Sequence, residues 1–445
     1  MKTRIAFTLT IIVALVSAVA PGTSARELTI EQFLTLVEKE SQDLKLAEQD
    51  VKAAGAEQRQ ATSAALPHVG AQAGYERDLR DTYMYLNLGA LTGENQEARI
   101  VANYDNNYSA GVSLQQVLFN GQVFNGIKAA RQYRRLTDLS FDATYQGVIT
   151  GAKQAFRAAQ LLKAVRDVAR DAEQNALENY DNVKNAYDHG LASEFDMLQA
   201  EVRYKDAVPQ TTAAQRDYEI SLVTLKNLAG LPVDDDIEPA GKLEDYPGLP
   251  EPLGMEHILE ARPDYQALQW EEKLRKTGVR AEQSAYLPTL AGVFAYGYSA
   301  QSNEWSFDRE NNSLTVGVTL SMPIFMGGET RAKVQKARVE LEKVRIRTEQ
   351  SRRSIAREVK NSRLTMEEAY GRIDAAQATV RAAEKAYAIA ETTARNGLTT
   401  QLQLKDSRVA LDRASVAYYS AIYEYLSAQY EWERVIGKAQ GAVTK

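Results

Sequence analysis

Cysteine is absent from all 445 residues, which excludes a disulfide framework, a thiolate metal site and lipid attachment through an N-terminal cysteine. Histidine is scarce: His68, His189 and His257 lie far apart, and none belongs to a His-Glu-x-x-His pattern. A glycine-rich phosphate loop is missing as well. No catalytic residue, metal ligand or cofactor-binding residue is indicated, so the chain does not read as an enzyme. Asp234-Asp235-Asp236 reads as a solvated turn in preference to a cation site. The apolar run Ile5–Ala20 is short for a transmembrane helix, and no other stretch of ~20 apolar residues exists to make one. That one run follows Lys2 and Arg4 and precedes Thr23-Ser24-Ala25, the order of a secretory signal spanning residues 1–25. Loss of the segment takes the formal net charge from −6 to −8. An acidic chain argues against nucleic acid as a partner.

What is present is an unusual pairing of elements. Leu314, Val316, Val318, Leu320, Met322 and Ile324 alternate with small or polar residues, a period of two that predicts a strand with one apolar face. The strand stops at Met326-Gly327-Gly328. From Glu329 to Asn396 there is no proline and a single glycine, Gly371. Strong helix formers fill the span, and Gly397 stands where a C-cap glycine belongs. A helix of that length extends roughly 100 Å at ~1.5 Å per residue.

The pairing occurs twice. Leu66-Pro67 matches Leu287-Pro288, and at the same offset of 221 Asp43, Lys52, Arg59 and Tyr75 match Asp264, Lys273, Arg280 and Tyr296. Gly111-Val112-Ser113-Leu114 matches Gly317-Val318-Thr319-Leu320 at an offset of 206, while Gly190-Leu191 and Gly230 match Gly397-Leu398 and Gly437 at 207. The change of offset falls between the two strands of each half and marks a loop that is longer in the first. This is a tandem duplication.

The first repeat, residues 26–230, reads as an entry helix over Leu28–Ala65, a strand Val69–Tyr75, a loop Arg77–Tyr104 and a strand Tyr108–Phe119. A long helix then runs from Gly121 to Gly190, and a return helix over Leu191–Leu228 holds Pro209 and is expected to kink there. Residues 231–254 read as an irregular connector. The second repeat, residues 255–437, follows the same plan: an entry helix Met255–Tyr286, a strand from Leu290, a polar loop Ser299–Asn312, the fourth strand, the long helix and a return helix Leu398–Ile436. Residues 438–445 form a tail. Apolar residues in the return helix, from Leu411 through Ala414, Tyr418, Ala421 and Tyr425 to Val435, step by three and four, the spacing of interlocking helices. An entry and a return helix together hold a number of residues similar to one long helix, so stacked end to end they would cover it and make a rod of uniform length.

Four strands of about ten residues suit a tilted bilayer crossing. Four cannot close a barrel, since the smallest membrane barrels use about eight, and open edges in lipid are prohibitive. Copies must therefore combine. Tyr75, Tyr296 and Tyr298 near the loop ends suit a membrane interface. The rival reading is a soluble periplasmic coiled-coil scaffold or adaptor whose strands form a small sheet.

Leu-Pro followed by a strand, Ser321-Met322-Pro323-Ile324-Phe325-Met326-Gly327-Gly328 opening a long helix, and the turn Gly397-Leu398-Thr399-Thr400-Gln401-Leu402 together resemble the TolC-like outer-membrane efflux family. The resemblance covers essentially the whole chain after residue 25. It implies a mainly α fold with a membrane β-barrel portion: a homotrimer with a twelve-stranded barrel in the outer membrane of a Gram-negative bacterium and an α-helical tunnel through the periplasm. It implies an exit duct of a tripartite efflux or type I secretion system, with a periplasmic adaptor (membrane fusion) protein, an inner-membrane RND or ABC transporter and outer-membrane lipid as partners, and no cofactor. The turns at Gly190, Leu191, Gly397 and Leu398 would meet the adaptor. The constriction would lie near them, with Glu194, Asp196, Gln403, Asp406 and Tyr187 as candidates. Well-known relatives carry a tyrosine three residues before the second turn glycine, an arginine two after it and aspartates six and nine after it. Those positions here are Ala394, Thr399, Gln403 and Asp406. Only Asp406 matches, and Tyr187 holds the tyrosine place in the first half.

Overall fold

The computed structural model describes residues 26–87, 97–396 and 398–438. The signal segment 1–25, Gly397 and residues 439–445 of the tail lie outside the described residues. In chain order the elements are β1 (Arg26–Leu28), α1 (Ile30–Glu40), α2 (Gln42–Ser63), β2 (His68–Arg77), β3 (Tyr83–Asn87), β4 (Glu97–Val101), β5 (Asn106–Phe119), α3 (Gly121–Asp188) and α4 (Glu194–Leu228). There follow β6 (Ile237–Pro239), α5 (Met255–Ala261), α6 (Pro263–Gln283), β7 (Thr289–Ser302), β8 (Asn311–Ser321), α7 (Glu329–Arg395) and α8 (Gln401–Val435).

Several boundaries differ from the sequence reading, each for a physical reason. Neither entry helix is continuous. The first breaks at Ser41, whose extended backbone ends α1 and whose hydroxyl accepts from Leu44 N at 3.5 Å to start α2. The second breaks at Arg262, held extended by Pro263, which opens α6. The two breaks are equivalent positions of the repeat. The Arg77–Tyr104 segment is not all loop but contains the β3–β4 ribbon, Met84 paired with Ile100 and Leu86 with Ala98. The Ser299–Asn312 loop shrinks to residues 303–310, because β7 runs to Ser302 and β8 starts at Asn311. β8 in turn ends at Ser321, short of Pro323, which cannot donate to a ladder. The connector holds β6, paired in parallel with β1.

Each long helix is flanked by its entry and return helices. In the first half α2 and α4 both pack on α3; in the second α6 and α8 both pack on α7. The short helices meet end to end at two glycines. Gly230, at φ 65°, lies so close to Glu40 that an added Cβ would stand 2.6 Å from its Cβ; at Gly437, φ 74°, an added Cβ would stand 2.7 Å from the Ala261 backbone. A left-handed residue without a side chain is what each junction requires.

The two apolar cores sit at these junctions. One gathers Phe33, Val37, Ile149, Phe156 and Leu225 around the β1–β6 pair. The other gathers Ile258, Met366, Ile373, Ile422, Tyr425 and Trp432 beneath the connector residue Leu243. Tyr425 is fully buried, and its hydroxyl donates to Pro247 O at 2.8 Å, tying the connector down.

Candidate functional site: sheet face and hairpin tips

At one end of the rod β2, β5, β7 and β8 form one antiparallel sheet in the order β2-β5-β7-β8. Its register aligns the alternating residues of all four strands. Val69 faces Leu114 and Ala71 faces Val112; Leu114 faces Phe294 and Val112 faces Tyr296; Phe294 faces Val316, Tyr296 faces Leu314 and Leu290 faces Leu320. One face is thus continuously apolar. The other carries Gly70, Gln72, Gly74, Ser109, Gly111, Ser113, Gly297, Ser313, Thr315 and Gly317. Among the described residues nothing covers the apolar face of β8: Leu314, Val316, Val318 and Leu320 are 65–74% exposed. β2 and β8 are the edge strands, each paired on one side alone. At the loop end of the sheet the rings of Tyr75 and Tyr108 lie 5.2 Å apart, with Trp305 at 5.5 Å from Tyr75 and Phe307 at 4.6 Å from Tyr108. Arg77 lies over the Trp305 ring. These rings cluster at the loop end of the apolar band. Among the described residues no helix is long and apolar enough to cross a membrane.

At the opposite end the chain reverses twice. After α3, Gly190 takes φ 73°; its N–H donates to Tyr187 O at 2.8 Å, and Leu191 N donates to Ala186 O at 2.8 Å. This pair of bonds is a Schellman closure of the helix. After α7, Leu398 N donates to Thr393 O at 2.9 Å, the corresponding bond of the second turn, whose glycine, Gly397, lies outside the described residues. Leu191 and Leu398 are not tucked into their turns: they are 84% and 79% exposed. Phe195, Leu198, Val202 and Leu402 extend this apolar surface and line a groove of about 360 Å³ between α4 and α8.

The candidate constriction residues fall into two groups. Asp196 and Gln403 stand three residues after the caps Ser193 and Thr400 and bond to them. Ser193 Oγ donates to Asp196 Oδ2 at 2.6 Å and accepts from Asp196 N at 3.1 Å. Gln403 N donates to Thr400 Oγ1 at 3.3 Å, and Thr399 Oγ1 donates to the Gln403 side chain. Glu194 and Asp406 are exposed near the starts of α4 and α8, and Tyr187 is partly exposed at the end of α3. Asp406 lines a groove of about 690 Å³ with Arg203, Asp206 and Arg413. A single chain does not gather the five into one cluster.

The sequence reading missed a charged cluster further up the hairpin. Arg408 is buried against Tyr387, its Cζ 5.3 Å from the ring centre, and its Nε donates to Asp412 Oδ1 at 2.8 Å. Burial pushes the Asp412 carboxyl up despite Arg408, and burial pulls Arg203 down beside it. The signal available was position: Tyr387 and Arg408 lie almost equally far before and after Gly397, so an antiparallel hairpin sets them side by side.

The sequence matches the family model described as outer membrane efflux protein over residues 34–231 and 255–438. It is 25% identical over 239 residues to the alkaline protease secretion protein AprF of Pseudomonas aeruginosa, covering 53% of this chain and 50% of that protein. It is 23% identical over 267 residues to the outer membrane protein TolC of Vibrio cholerae, covering 57% of this chain and 59% of the other. These matches span about half the length of the curated relatives. The structure superposes on the Campylobacter jejuni CmeC outer membrane channel with a TM-score of 0.78 at 19% identity, covering 94% of this chain and 87% of that one. The open state of the Neisseria gonorrhoeae MtrE outer membrane channel gives a TM-score of 0.77 at 18% identity, with 93% and 91% covered. The fold is that of outer-membrane efflux channels.

Proposed function

The chain belongs to the outer membrane efflux protein family, and from that premise we propose that it forms an exit duct of a tripartite efflux or type I secretion system, passively conducting cargo across the periplasm and outer membrane. The observation that carries this reading is the uncovered apolar sheet face between two open edges. In lipid, open edges are untenable. Strand directions alternate across the sheet, so β8 of one copy meets β2 of the next antiparallel and the sheet can continue round a closed ring. Two copies give eight strands, whose interior is filled by side chains. Three give twelve and leave a lumen, lined by the glycine, serine and threonine face. The homotrimer is therefore the assembly of this proposal, with the apolar face against outer-membrane lipid. Residues 26–230 and 255–437 are its two structural repeats, 231–254 the waist connector and 1–25 the export signal.

The helical rods would enclose the periplasmic tunnel. Its far tip, where Gly190, Leu191 and Leu398 stand beside the apolar groove, would meet a periplasmic adaptor that links the duct to an inner-membrane RND or ABC transporter. Gly397 is proposed with them on sequence grounds. Glu194 and Asp406 would line the constriction above the tip. Asp196, Gln403 and Tyr187 would frame it from the helix ends. The test is direct. Protein extracted in detergent is expected to have the mass of three chains and to open steady conductance in planar bilayers. A monomer that stays soluble without detergent would overturn the reading and favour the scaffold. At the tip, Leu398→Glu is expected to abolish export in cells while the trimer forms normally. Full export by that variant would remove the tip from adaptor contact.

A further inference from the structure

In the part of the rod next to the sheet, the helices stand in the order α2, α3, α6, α7, each packed on the next. α2 and α7 are the two ends of that row, and each has an uncovered outer face. α7 buries Val334, Leu341, Val344 and Ile355. Opposite them on its repeat lie Val339 and Ile346, 49% and 53% exposed. This outward stripe has a basic flank, Lys336, Lys343 and Arg357, and an acidic flank, Glu342 and Glu349. α2 buries Leu44 and Ala54 and turns Leu46 outward at 65% exposure. Its stripe also has two charged flanks, each stepping by seven residues: Asp43, Asp50 and Glu57 on one side, Lys45, Lys52 and Arg59 on the other.

The flanks match across two copies. α2 climbs to the sheet and ends at Ser63, whereas α7 starts at Glu329 and descends from it. They run antiparallel and share one end level. In an antiparallel helix pair the like-handed flanks meet. That brings the acidic flank of α2 to the basic flank of α7, and the basic flank of α2 to the acidic flank of α7. Counted from the sheet, Glu57 falls level with Lys336, Asp50 with Lys343, Lys52 with Glu342 and Lys45 with Glu349, each within two residues. Within one chain Lys343, Lys45 and Lys52 hold Glu340, Glu40 and Glu48, and Glu342 and Glu349 hold Arg345 and Arg353, so these rungs exchange partners when copies meet. Asp43, Asp50, Glu57 and Lys336 enter no ion pair among the described residues.

We infer that the seam between neighbouring copies is a double charge ladder, with α7 of one copy against α2 of the next and Val339, Ile346, Leu46 and Ala53 between the two rows of charge. This rests on the reading of the chain as a closed oligomer and assigns the face that closes it. The ladder sets register: a shift by one helical turn faces like charges or leaves the rows unpaired.

A cysteine-free chain allows a clean test. The full chain carrying Asp50→Cys and Lys343→Cys is oxidised in isolated outer membranes and run without reductant. The two positions stand at opposite ends of one chain's helix row, so a bridge between them joins copies. Covalent dimers and trimers are expected, and a control pairing Asp50→Cys with Lys360→Cys should remain monomer-sized. Oligomer by native mass with no more cross-linking than the control overturns the ladder and leaves the duct standing. Monomer by native mass overturns both. Independently, Asp50→Lys with Glu57→Lys should weaken the detergent-resistant oligomer, and adding Lys336→Glu with Lys343→Glu should restore it. A fully helical quadruple variant that fails to reassemble counts against the ladder.

Discussion

Arg262 holds the waist of the second repeat. It stands at the break between α5 and α6, buried, with Nη2 on Asp264 Oδ2 at 2.6 Å, Nη1 on Glu358 Oε2 at 2.6 Å and on Val435 O at 3.1 Å. Arg434 reaches the same Glu358 at 2.6 Å. Burial alone would raise the Asp264 carboxyl, but the bonds and charge of Arg262 outweigh it and hold it below the ordinary value of 3.8. A depressed carboxyl adds stability above its unfolded value and loses it as pH falls through the folded one. Asp264→Asn should therefore lower the thermal midpoint at pH 7. The gap to the unsubstituted protein should close as pH drops below about 4. A gap that persists in acid would place the loss in packing instead. Asp406 belongs to a different argument. In the proposed oligomer this exposed carboxylate would repeat in every copy near the tip, and rings of such groups hold cations and tune passage. Asp406→Ala is expected to change cation block or conductance in planar bilayers, and an unchanged current removes it from the constriction.

Elements differ in how openly they declare themselves. β8 is legible because Val316 and Val318 alternate with Thr315 and Gly317, and α7 because nothing in it interrupts a helix. The β3–β4 ribbon is not, because Tyr83 to Leu86 is apolar at every step and has no period to read. β1 and β6, three residues each, are too short for any pattern. The break at Arg262-Pro263 carries a signal in its proline, whereas the break at Ser41 carries no more than a serine that caps α2. The residues proposed for the constriction are hidden for another reason. Asp196 and Gln403 look like free polar groups in sequence, yet three residues after the caps Ser193 and Thr400 they are engaged at helix starts, Gln403 in a capping box and Asp196 on the Ser193 hydroxyl. Sheet alternation makes a paired prediction. Arginine at a lipid-facing mid-strand position costs ~2–4 kcal/mol, while a lumen-facing position tolerates charge. Val316→Arg should sharply reduce folded oligomer in the outer membrane. Thr315→Arg, one residue away on the other face, should assemble and alter ion selectivity. Equal loss from both would contradict the assignment of faces.

At the scale of the whole molecule the two proposed repeats are interlocked, and cutting between them is not expected to separate them. The duplication is plain in the offsets of matching residues, but a repeat in sequence does not reveal how its halves join. Here they interlock twice. The sheet takes one hairpin from each half, and its central pair, β5 with β7, crosses the divide over the full length of both strands. Below it α3 of the first half packs on α6 and α8 of the second, with Lys153 Nζ on Glu433 Oε2 at 3.0 Å and Arg157 Nε on the Tyr430 hydroxyl at 3.1 Å. The connector is held at both ends as well: Gln160 Nε2 donates to Ala240 O at 2.8 Å, and Tyr425 holds Pro247 O. Gly248 is exposed, and an added Cβ there meets nothing within 4 Å. A protease site inserted after Gly248 should thus be cut in the assembled protein without consequence. The two fragments are expected to separate in denaturing gels, yet to migrate together under native conditions and to conduct as the uncut oligomer does. If the halves part on cleavage, the connector and not the β5–β7 ladder and the α3 contacts holds the molecule together. Each repeat would then have to be treated as a body of its own.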